Sequence, residues 1–243
     1  MEGPVCKPVS GSMADVNRRR IDLSHTVTDQ MLTYPGLPVP NIGDHLTRDA
    51  AEEIYGAGVR FQIGMITMCS NTGTYIDMPA HRFDDGHDLS ELPLERVADV
   101  PAVCFSRLDT PIIDLPRLHE LDFEGCAILF RTDHSKKFGT PAYFDSHPYI
   151  SVATAESLVK ARVACVGIDS LNIDAISGDA GAGRPVHTTL LRAGIPIIEH
   201  LTNLDALPRV LFRFTAVPPK IKGMGTFTVR AFATVTEPID ELT

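Results

Sequence analysis

Residues 71–81 read Asn-Thr-Gly-Thr-Tyr-Ile-Asp-Met-Pro-Ala-His and follow the apolar, β-branched stretch RFQIGMITMCS at residues 60–70. Such a stretch predicts a strand that runs into the polar segment. Because side chains of a strand alternate between its two faces, the odd-numbered polar residues are predicted to share one face. These are Asn71, Tyr75, Asp77 and His81. Taken singly, such residues are more often turn, cap or surface residues. Together they indicate a metal or acid–base site.

The composition limits the class of protein. The chain has 243 residues, of which 44% are hydrophobic and 22% charged, as is usual for a globular domain. The 22 basic and 31 acidic residues give a net charge of −9, which argues against nucleic acid or an anionic membrane as partner. No apolar run is long enough for a transmembrane helix. We therefore expect a small-molecule ligand.

The N-terminal residues indicate where the folded domain begins, and the cysteines indicate the compartment of the protein. Residues 1–20 are rich in Gly, Pro and Ser and lack the apolar stretch of a signal peptide. We predict a disordered leader at 1–20 and one domain at 21–243. The five cysteines are scattered, without a C-x-x-C pair. This pattern predicts buried free thiols and a cytoplasmic protein.

Short apolar runs and helical patterns indicate a mixed α/β or α+β domain. The helical patterns lie at residues 47–55, with Thr47 as N-cap, at 151–161, with Ser151 as N-cap, and in a short helix after His187. The predicted strands lie at residues 103–106, 127–132, 164–168, 195–198, 210–215 and 226–236.

The polar segment resembles the signature of the cyclase family of metal-dependent hydrolases, the family of bacterial kynurenine formamidase and isatin hydrolase. That signature is His-x-Gly-Thr-His-x-Asp-x-Pro-x-His. Asn71 and Tyr75 stand where the pattern has metal-binding histidines. The matching positions are Gly73, Thr74, Asp77, Pro79 and His81. Further matches are IDLSH at 21–25, YPG at 34–36, GIDS at 167–170, EHLTNL at 199–204 and RAFA at 230–233.

The resemblance implies a swivelling β/β/α fold with a β-barrel-like core, and a homodimer or homotetramer. It also implies roles for particular residues. Asp77, His187 and Glu199 match metal-ligand positions, and His81 matches the residue that shuttles protons. Tyr34 matches an aromatic residue that lies against the substrate.

The same strand alternation predicts where the side chains of the two residues after the segment point. Phe83, two residues after His81, is predicted to face the same side and line the pocket, whereas Arg82 is predicted to point away. Residues 170–186 (SLNIDAISGDAGAGRPV) lack the order of a phosphate-binding loop. They are interpreted as a mobile flank of the active site, with an ordinary exposed loop as the alternative.

These observations leave three functional hypotheses open. The first is a hydrolase that opens a small cyclic amide or lactone, or cleaves a formamide, with one divalent ion such as Zn or Mn. Amide oxygen is a poor zinc ligand and a phenol must ionise before it binds well, so Asn71 and Tyr75 would hydrogen-bond a substrate oxygen. The second is a cyclase or lyase with no metal, in which Tyr75 and Asn71 are oxyanion donors and His81 is the base. The third is a non-catalytic small-molecule binder.

Overall fold

The computed structural model describes residues 17–106, 110–176 and 182–237. In this part of the chain, strands, α-helices and short 3-10 turns alternate. The strands are β1 (Asn17–Asp22), β2 (Asn41–Leu46), β3 (Ile63–Thr67), β4 (Tyr75–Asp77), β5 (Val100–Ser106), β6 (Ile112–Ile113), β7 (Ala127–Arg131), β8 (Tyr149–Ile150), β9 (Cys165–Ile168), β10 (Ile197–Glu199), β11 (Phe212–Thr215), β12 (Thr226–Thr228) and β13 (Phe232–Glu237). The helices are α1 (Arg48–Tyr55), α2 (Val152–Lys160) and α3 (Pro185–Arg192).

Nine of these strands form one mixed sheet in the order β1-β13-β11-β5-β7-β9-β10-β4-β12. The pairs among β5, β7, β9 and β10 are parallel, and the outer pairs are antiparallel. Only residues 229–231 connect β12, at one end of this order, to β13, near the other end. Because a link of this length reaches at most about 14 Å, the sheet must curl until its ends approach. The result is a single α/β domain with a half-barrel sheet, which confirms the predicted class.

The central strands are buried on both faces, in agreement with their apolar runs. In β7, successive side chains enter different cores. Leu129 joins a cluster with Ile76 of β4, whereas Phe130 joins a second cluster with Leu158 of α2 and Leu190 of α3. Helices α2 and α3 therefore cover the face of the sheet that Phe130 enters, and the Ile76 side chain of β4 lies on the opposite face.

Most predicted elements are present. The Thr47 hydroxyl accepts a hydrogen bond from the Ala50 amide at 3.2 Å, and the Ser151 hydroxyl accepts one from the Thr154 amide at 3.0 Å. Both predicted helix N-caps are thus confirmed. The strand predicted at 226–236 is instead divided into β12 and β13. The chain leaves β12 after Thr228. The Val229 amide donates to Thr74 O at 2.9 Å, and the chain then crosses towards the opposite end of the sheet.

The strand predicted through residues 60–77 is also two strands. β3 pairs with β2 in a separate ribbon, while β4 lies between β10 and β12 in the main sheet. The extended chain breaks at Gly73, which has a φ of +67°, a conformation that glycine adopts at little cost. The alternation rule therefore holds within β4 but not from residue 71 to residue 81.

The beginning of the chain needs a second correction. β1 starts at Asn17, inside the segment predicted as a leader, and pairs antiparallel with β13 along its whole length. Main-chain pairing to an existing strand outweighs the polar composition of residues 17–20. The rest of the predicted leader, residues 1–16, lies outside the described part of the chain.

The structure also bears on two further predictions: free cysteine thiols, and the lack of a transmembrane helix. Cys69, Cys104 and Cys165 are free, but Cys126 is disulfide-bonded. The prediction of five free thiols is therefore wrong at Cys126, because spacing along the chain does not reveal which cysteines meet in space. Among the described residues, no helix is long and apolar enough to cross a membrane.

Gly225 packs against the main chain that ends β4, and it generates a stability prediction. Its carbonyl accepts from the Met78 amide at 2.7 Å, and a Cβ at this position would lie 2.6 Å from the His81 Cα. We expect Gly225→Ala to lower the free energy of unfolding by about 1–3 kcal/mol through overpacking, as measured by urea denaturation. Gly43→Ala is the matched control, since nothing lies within 4 Å of a Cβ there. Equal stability of the two variants would contradict this packing.

Candidate metal centre

The register of β4 brings its polar side chains to those of two neighbouring strands. Tyr75 lies opposite Glu199 of β10, and Asp77 lies opposite Thr226 of β12. Residues directly opposite each other on antiparallel strands share a face. Accordingly, the Tyr75 hydroxyl donates to Glu199 Oε2 at 2.6 Å, and the Thr226 hydroxyl donates to Asp77 Oδ1 at 2.9 Å. Three strands thus assemble a buried polar cluster.

The N-terminal turn of α3 adds His187 to this cluster. Asp174 fixes that turn, because its carboxylate accepts from the amides of Val186 at 2.8 Å and His187 at 3.0 Å. The same carboxylate accepts from His187 Nδ1 at 2.6 Å. One acidic side chain therefore caps the helix and orients the imidazole, leaving Nε2 directed at the cluster. A histidine that binds a metal is usually held in this way by a carboxylate behind it.

Asp77, His187 and Glu199 each offer one ligand atom, and these atoms all lie within 4.8 Å of one another. His187 Nε2 is 3.5 Å from Asp77 Oδ2 and 3.8 Å from Glu199 Oε1. Asp77 Oδ2 is buried and has no hydrogen-bond partner in the described part of the chain. A buried carboxylate oxygen without a partner is costly. Two carboxylates and one imidazole suit a divalent cation and leave positions open for ligands, so the residues fit the predicted metal.

Electrostatic coupling within the cluster changes its protonation. Burial alone would lower the pKa of His187, but the Glu199 carboxylate, a hydrogen bond to Asp174 and the nearby Asp77 carboxylate raise it to about 10. Desolvation raises the pKa of Glu199 to about 7, against the opposing effect of the imidazolium. Desolvation also holds the pKa of Tyr75 well above its usual value, so this phenol is a hydrogen-bond donor at neutral pH. Without a cation the imidazolium is the positive charge that balances the carboxylates.

A second histidine connects to the cluster through a hydroxyl. His81 Nδ1 lies 2.8 Å from Thr226 Oγ1, and its side chain is 38% exposed. A threonine hydroxyl carries one hydrogen, and that of Thr226 is donated to Asp77. His81 Nδ1 must therefore donate to Thr226, which leaves Nε2 as the basic nitrogen of the neutral ring.

A pocket of about 290 Å³ opens over these residues, at the small end of the range for ligand sites. It brings together seven of the eight predicted site residues. Its lining is Tyr34, Leu37, Asn71, Tyr75, Asp77, His81, Arg82, Asn172, Arg184, His187 and Glu199. The predicted flank at 170–186 contributes Asn172 and Arg184, while residues 177–181 of that flank lie outside the described part.

Phe83 and Arg82 lie differently from the prediction. Phe83 packs against the core cluster under the helices, and the guanidinium carbon of Arg192 lies 3.7 Å from its ring centroid. Its contact with substrate stays a prediction. Arg82 was predicted to point away from the pocket but lines it. The prediction was wrong because a 3-10 turn begins at Pro79 and ends strand alternation.

Two residues of the site were missed by sequence reasoning. Asp174 stands in a stretch of small residues that gives no sign of contact with a helix 11 residues later. Thr226 was read only as the start of a strand. Its position opposite Asp77 follows from the pairing of β12 with β4, which no local pattern reveals.

The fold and this buried Asp-His-Glu cluster define an α/β protein with a site suited to one divalent metal. The sequence model of the Cyclase family matches residues 21–175, more than half of the chain. The protein belongs to the Cyclase family.

Known proteins are similar to this chain in sequence or in fold. A kynurenine formamidase from Bacillus cytotoxicus is 26% identical over 213 residues, which cover 87% of this chain and 95% of that protein. A solved structure described as a potential metal-dependent hydrolase with cyclase activity has a TM-score of 0.72 at 26% identity, over 91% of this chain and 100% of that chain. Isatin hydrolase A from Labrenzia aggregata shares the fold, with a TM-score of 0.76 at 24% identity over 90% and 94% of the two chains.

The cluster generates a prediction about metal binding. After chelation, Zn²⁺ or Mn²⁺ at about 100 times its Kd should stabilise the protein by roughly 2.7 kcal/mol, seen as a rise in Tm.

Glu199→Gln should abolish the rise, and Asp174→Asn should weaken binding by about 10- to 100-fold through loss of the carboxylate behind His187. Because His187 must lose its proton to become a ligand, apparent affinity should increase with pH by about tenfold per unit from about pH 7, the pKa of Glu199, up to about pH 10, the pKa of His187.

Asp85→Asn is the matched control for the two acidic variants, since the Asp85 side chain is exposed and its ion pair, with Arg192 at 3.3 Å, lies at the surface. It should respond to metal as the parent protein does. A parent protein whose Tm is unchanged on return of either metal would contradict the assignment of these residues as ligands.

Proposed function

We propose that the protein is a hydrolase that acts on a small cyclic amide, a lactone or a formamide, with one divalent metal such as Zn or Mn held by Asp77, His187 and Glu199. The observation that carries this proposal is the convergence of three ligand atoms within 4.8 Å in the floor of the pocket. The unpartnered Asp77 Oδ2 supports it further, and kynurenine formamidase and isatin hydrolase among the relatives suggest the bond type.

The reaction adds water across the bond between the carbonyl carbon and nitrogen or ring oxygen. When bound, the metal supplies a Lewis acid that polarises the carbonyl and makes water nucleophilic at neutral pH. The chain supplies the proton transfers. His81 Nε2, basic because Nδ1 donates to Thr226, takes a proton from the attacking water and returns it to the departing nitrogen or oxygen. A formamide yields formic acid and an amine, whereas a cyclic amide or lactone opens to a single amino acid or hydroxy acid.

Tyr75 and Asn71 have supporting roles in this scheme. The Tyr75 hydroxyl is already committed to Glu199 Oε2 at 2.6 Å, while Ile173 N donates to Glu199 Oε1 at 2.6 Å. These two donors fix the Glu199 carboxylate for metal binding. Asn71 lines the pocket beside the phenol and is the residue of the pair that is available to a substrate oxygen.

His81 provides a direct test of the proposal. A panel of aryl formamides, cyclic amides and lactones should include a substrate for the Zn- or Mn-loaded protein. On that substrate, His81→Asn should lower kcat by about 10²- to 10⁴-fold, the usual contribution of a general base, with metal content unchanged. His87→Asn is the matched control, because that side chain is 74% exposed and lies outside the pocket lining.

Two results would contradict the proposal. One is the absence of turnover across the panel with Zn, Mn, Fe or Co. The other is full activity of His81→Asn at equal metal occupancy, which would remove the histidine from the proton transfers.

A second candidate function is a metal-independent cyclase or lyase. One observation favours it: the His187 imidazolium, whose pKa is raised to about 10, places a positive charge among the buried carboxylates without a metal. In that scheme Tyr75 is an oxyanion donor, and Tyr75→Phe should cost about 2.7–4 kcal/mol of transition-state stabilisation. In the hydrolase scheme, Tyr75→Phe should weaken metal binding instead and change kcat less than about tenfold at saturating metal, since the phenol acts by holding the Glu199 carboxylate. Activity assays with and without metal separate the two.

We also propose that a small molecule is the physiological ligand and that the chain assembles as a homodimer or homotetramer. The ribbon of β2 and β3 supports assembly. It stands apart from the main sheet and exposes Ile63 by 46%, Met65 by 54% and Ile66 by 57%. An isolated two-stranded ribbon is marginally stable in water, so this apolar surface is the part of the chain that an assembly would bury.

A further inference from the structure

The pocket is divided by charge. Its floor contains the buried carboxylates Asp77 and Glu199, whereas Arg82 and Arg184 line the more exposed part. In the floor, a bound metal and the His187 imidazole offset the negative charge of these carboxylates. The guanidinium groups of Arg82 and Arg184 are not needed to offset those carboxylates, so their presence in the pocket needs a separate explanation.

Arg184 is held by neutral groups. Its NH1 donates to Asn172 Oδ1 at 2.8 Å, and its NH2 contacts the Tyr34 hydroxyl at 3.4 Å. Within the described part of the chain, no carboxylate lies within ion-pair distance of Arg184. By comparison, Arg192 on the outer side of α3 pairs with Asp85 at 3.3 Å. A guanidinium has five N–H donors, and most of those of Arg184 are left for a ligand.

The guanidinium is also fixed in place. Asn172 is 6% exposed, and its Oδ1 accepts a second hydrogen bond from the Asp174 amide at 3.0 Å. Arg184 itself has a φ of +51°, a left-handed conformation that costs a non-glycine residue roughly 1–2 kcal/mol. Such strain is concentrated at functional sites. Because Pro185 opens α3 directly afterwards, the position of Arg184 is coupled to the helix that carries His187.

We propose that Arg184, together with the Tyr34 hydroxyl, binds a carboxylate of the substrate, so that the preferred substrates are small amides or formamides bearing a free carboxylate. This proposal rests on the proposed hydrolase function and narrows its substrate class. A guanidinium binds a carboxylate through two parallel hydrogen bonds. Leu37 and the ring of Tyr34 offer apolar surface on the same pocket, which suits an aromatic or alkyl body between the carboxylate and the scissile bond.

The kinetic test uses two formamides that differ only in the carboxylate: N-formylanthranilate and formanilide. With metal-loaded protein, we expect kcat/KM for N-formylanthranilate to exceed that for formanilide by at least about tenfold, the effect of one charged hydrogen-bond pair. Arg184→Met should reduce this ratio by at least about tenfold, and Arg184→Lys, which keeps the charge but not the paired donors, should fall between. Arg48→Met is the control, since Arg48 begins α1 on the surface away from the pocket lining.

A binding measurement keeps the proposal separate from the hydrolase function. Titration calorimetry with anthranilate and with aniline should show that anthranilate binds at least about tenfold more tightly, and that Arg184→Met removes the difference. If neither formamide is hydrolysed but this difference is found, the hydrolase function fails and the carboxylate site stands. The proposal is overturned if Arg184→Met leaves the anthranilate preference intact. It is also overturned if Glu199→Gln, rather than Arg184→Met, abolishes that preference, because the carboxylate would then bind at the metal site.

Discussion

The burial of acidic side chains around one imidazole is the constraint on which the site depends. Asp77 and Glu199 lie diagonally across β4 and β10, opposite Ile197 and Tyr75 respectively, and Asp174 stands behind His187. Buried carboxylates repel each other and are costly without a positive charge nearby. The His187 imidazolium or a divalent metal meets that requirement. Hydrogen-bond donors, such as the Tyr75 hydroxyl on Glu199, pair with other carboxylate oxygens of the cluster.

The curl of the sheet brings these groups together. β12 pairs with β4, which places Thr226 opposite Asp77, and it must return within residues 229–231 to β13 near the other end of the sheet. The tight contact between Gly225 and the main chain at His81 belongs to that closure. The ligands, spread over more than 120 residues, are thus held by the pairing of β4 with β10 and by the Asp174 carboxylate behind His187. Preorganised ligands of this kind suit catalysis, because little movement is needed on binding.

The pocket also shows how one segment can contribute both to chemistry and to selectivity. α3 carries His187 into the floor, and the residue before the helix, Arg184, reaches Asn172 on the pocket wall. Asp174, two residues after Asn172, caps the same helix. The position of the imidazole and that of the guanidinium therefore depend on one small set of hydrogen bonds.

The sequence by itself determined the mixed α/β class, the apolar central strands, both helix N-caps and the candidate ligands Asp77, His187 and Glu199. These follow from local periodicity, capping chemistry and ordered motif matches, which act over a few residues. It did not reveal the break at Gly73, the division of β12 from β13, the inward position of Arg82 or the roles of Asp174 and Thr226. Those were decided by tertiary structure, because each depends on which strand lies beside which, and strand pairing joins residues that no local pattern relates.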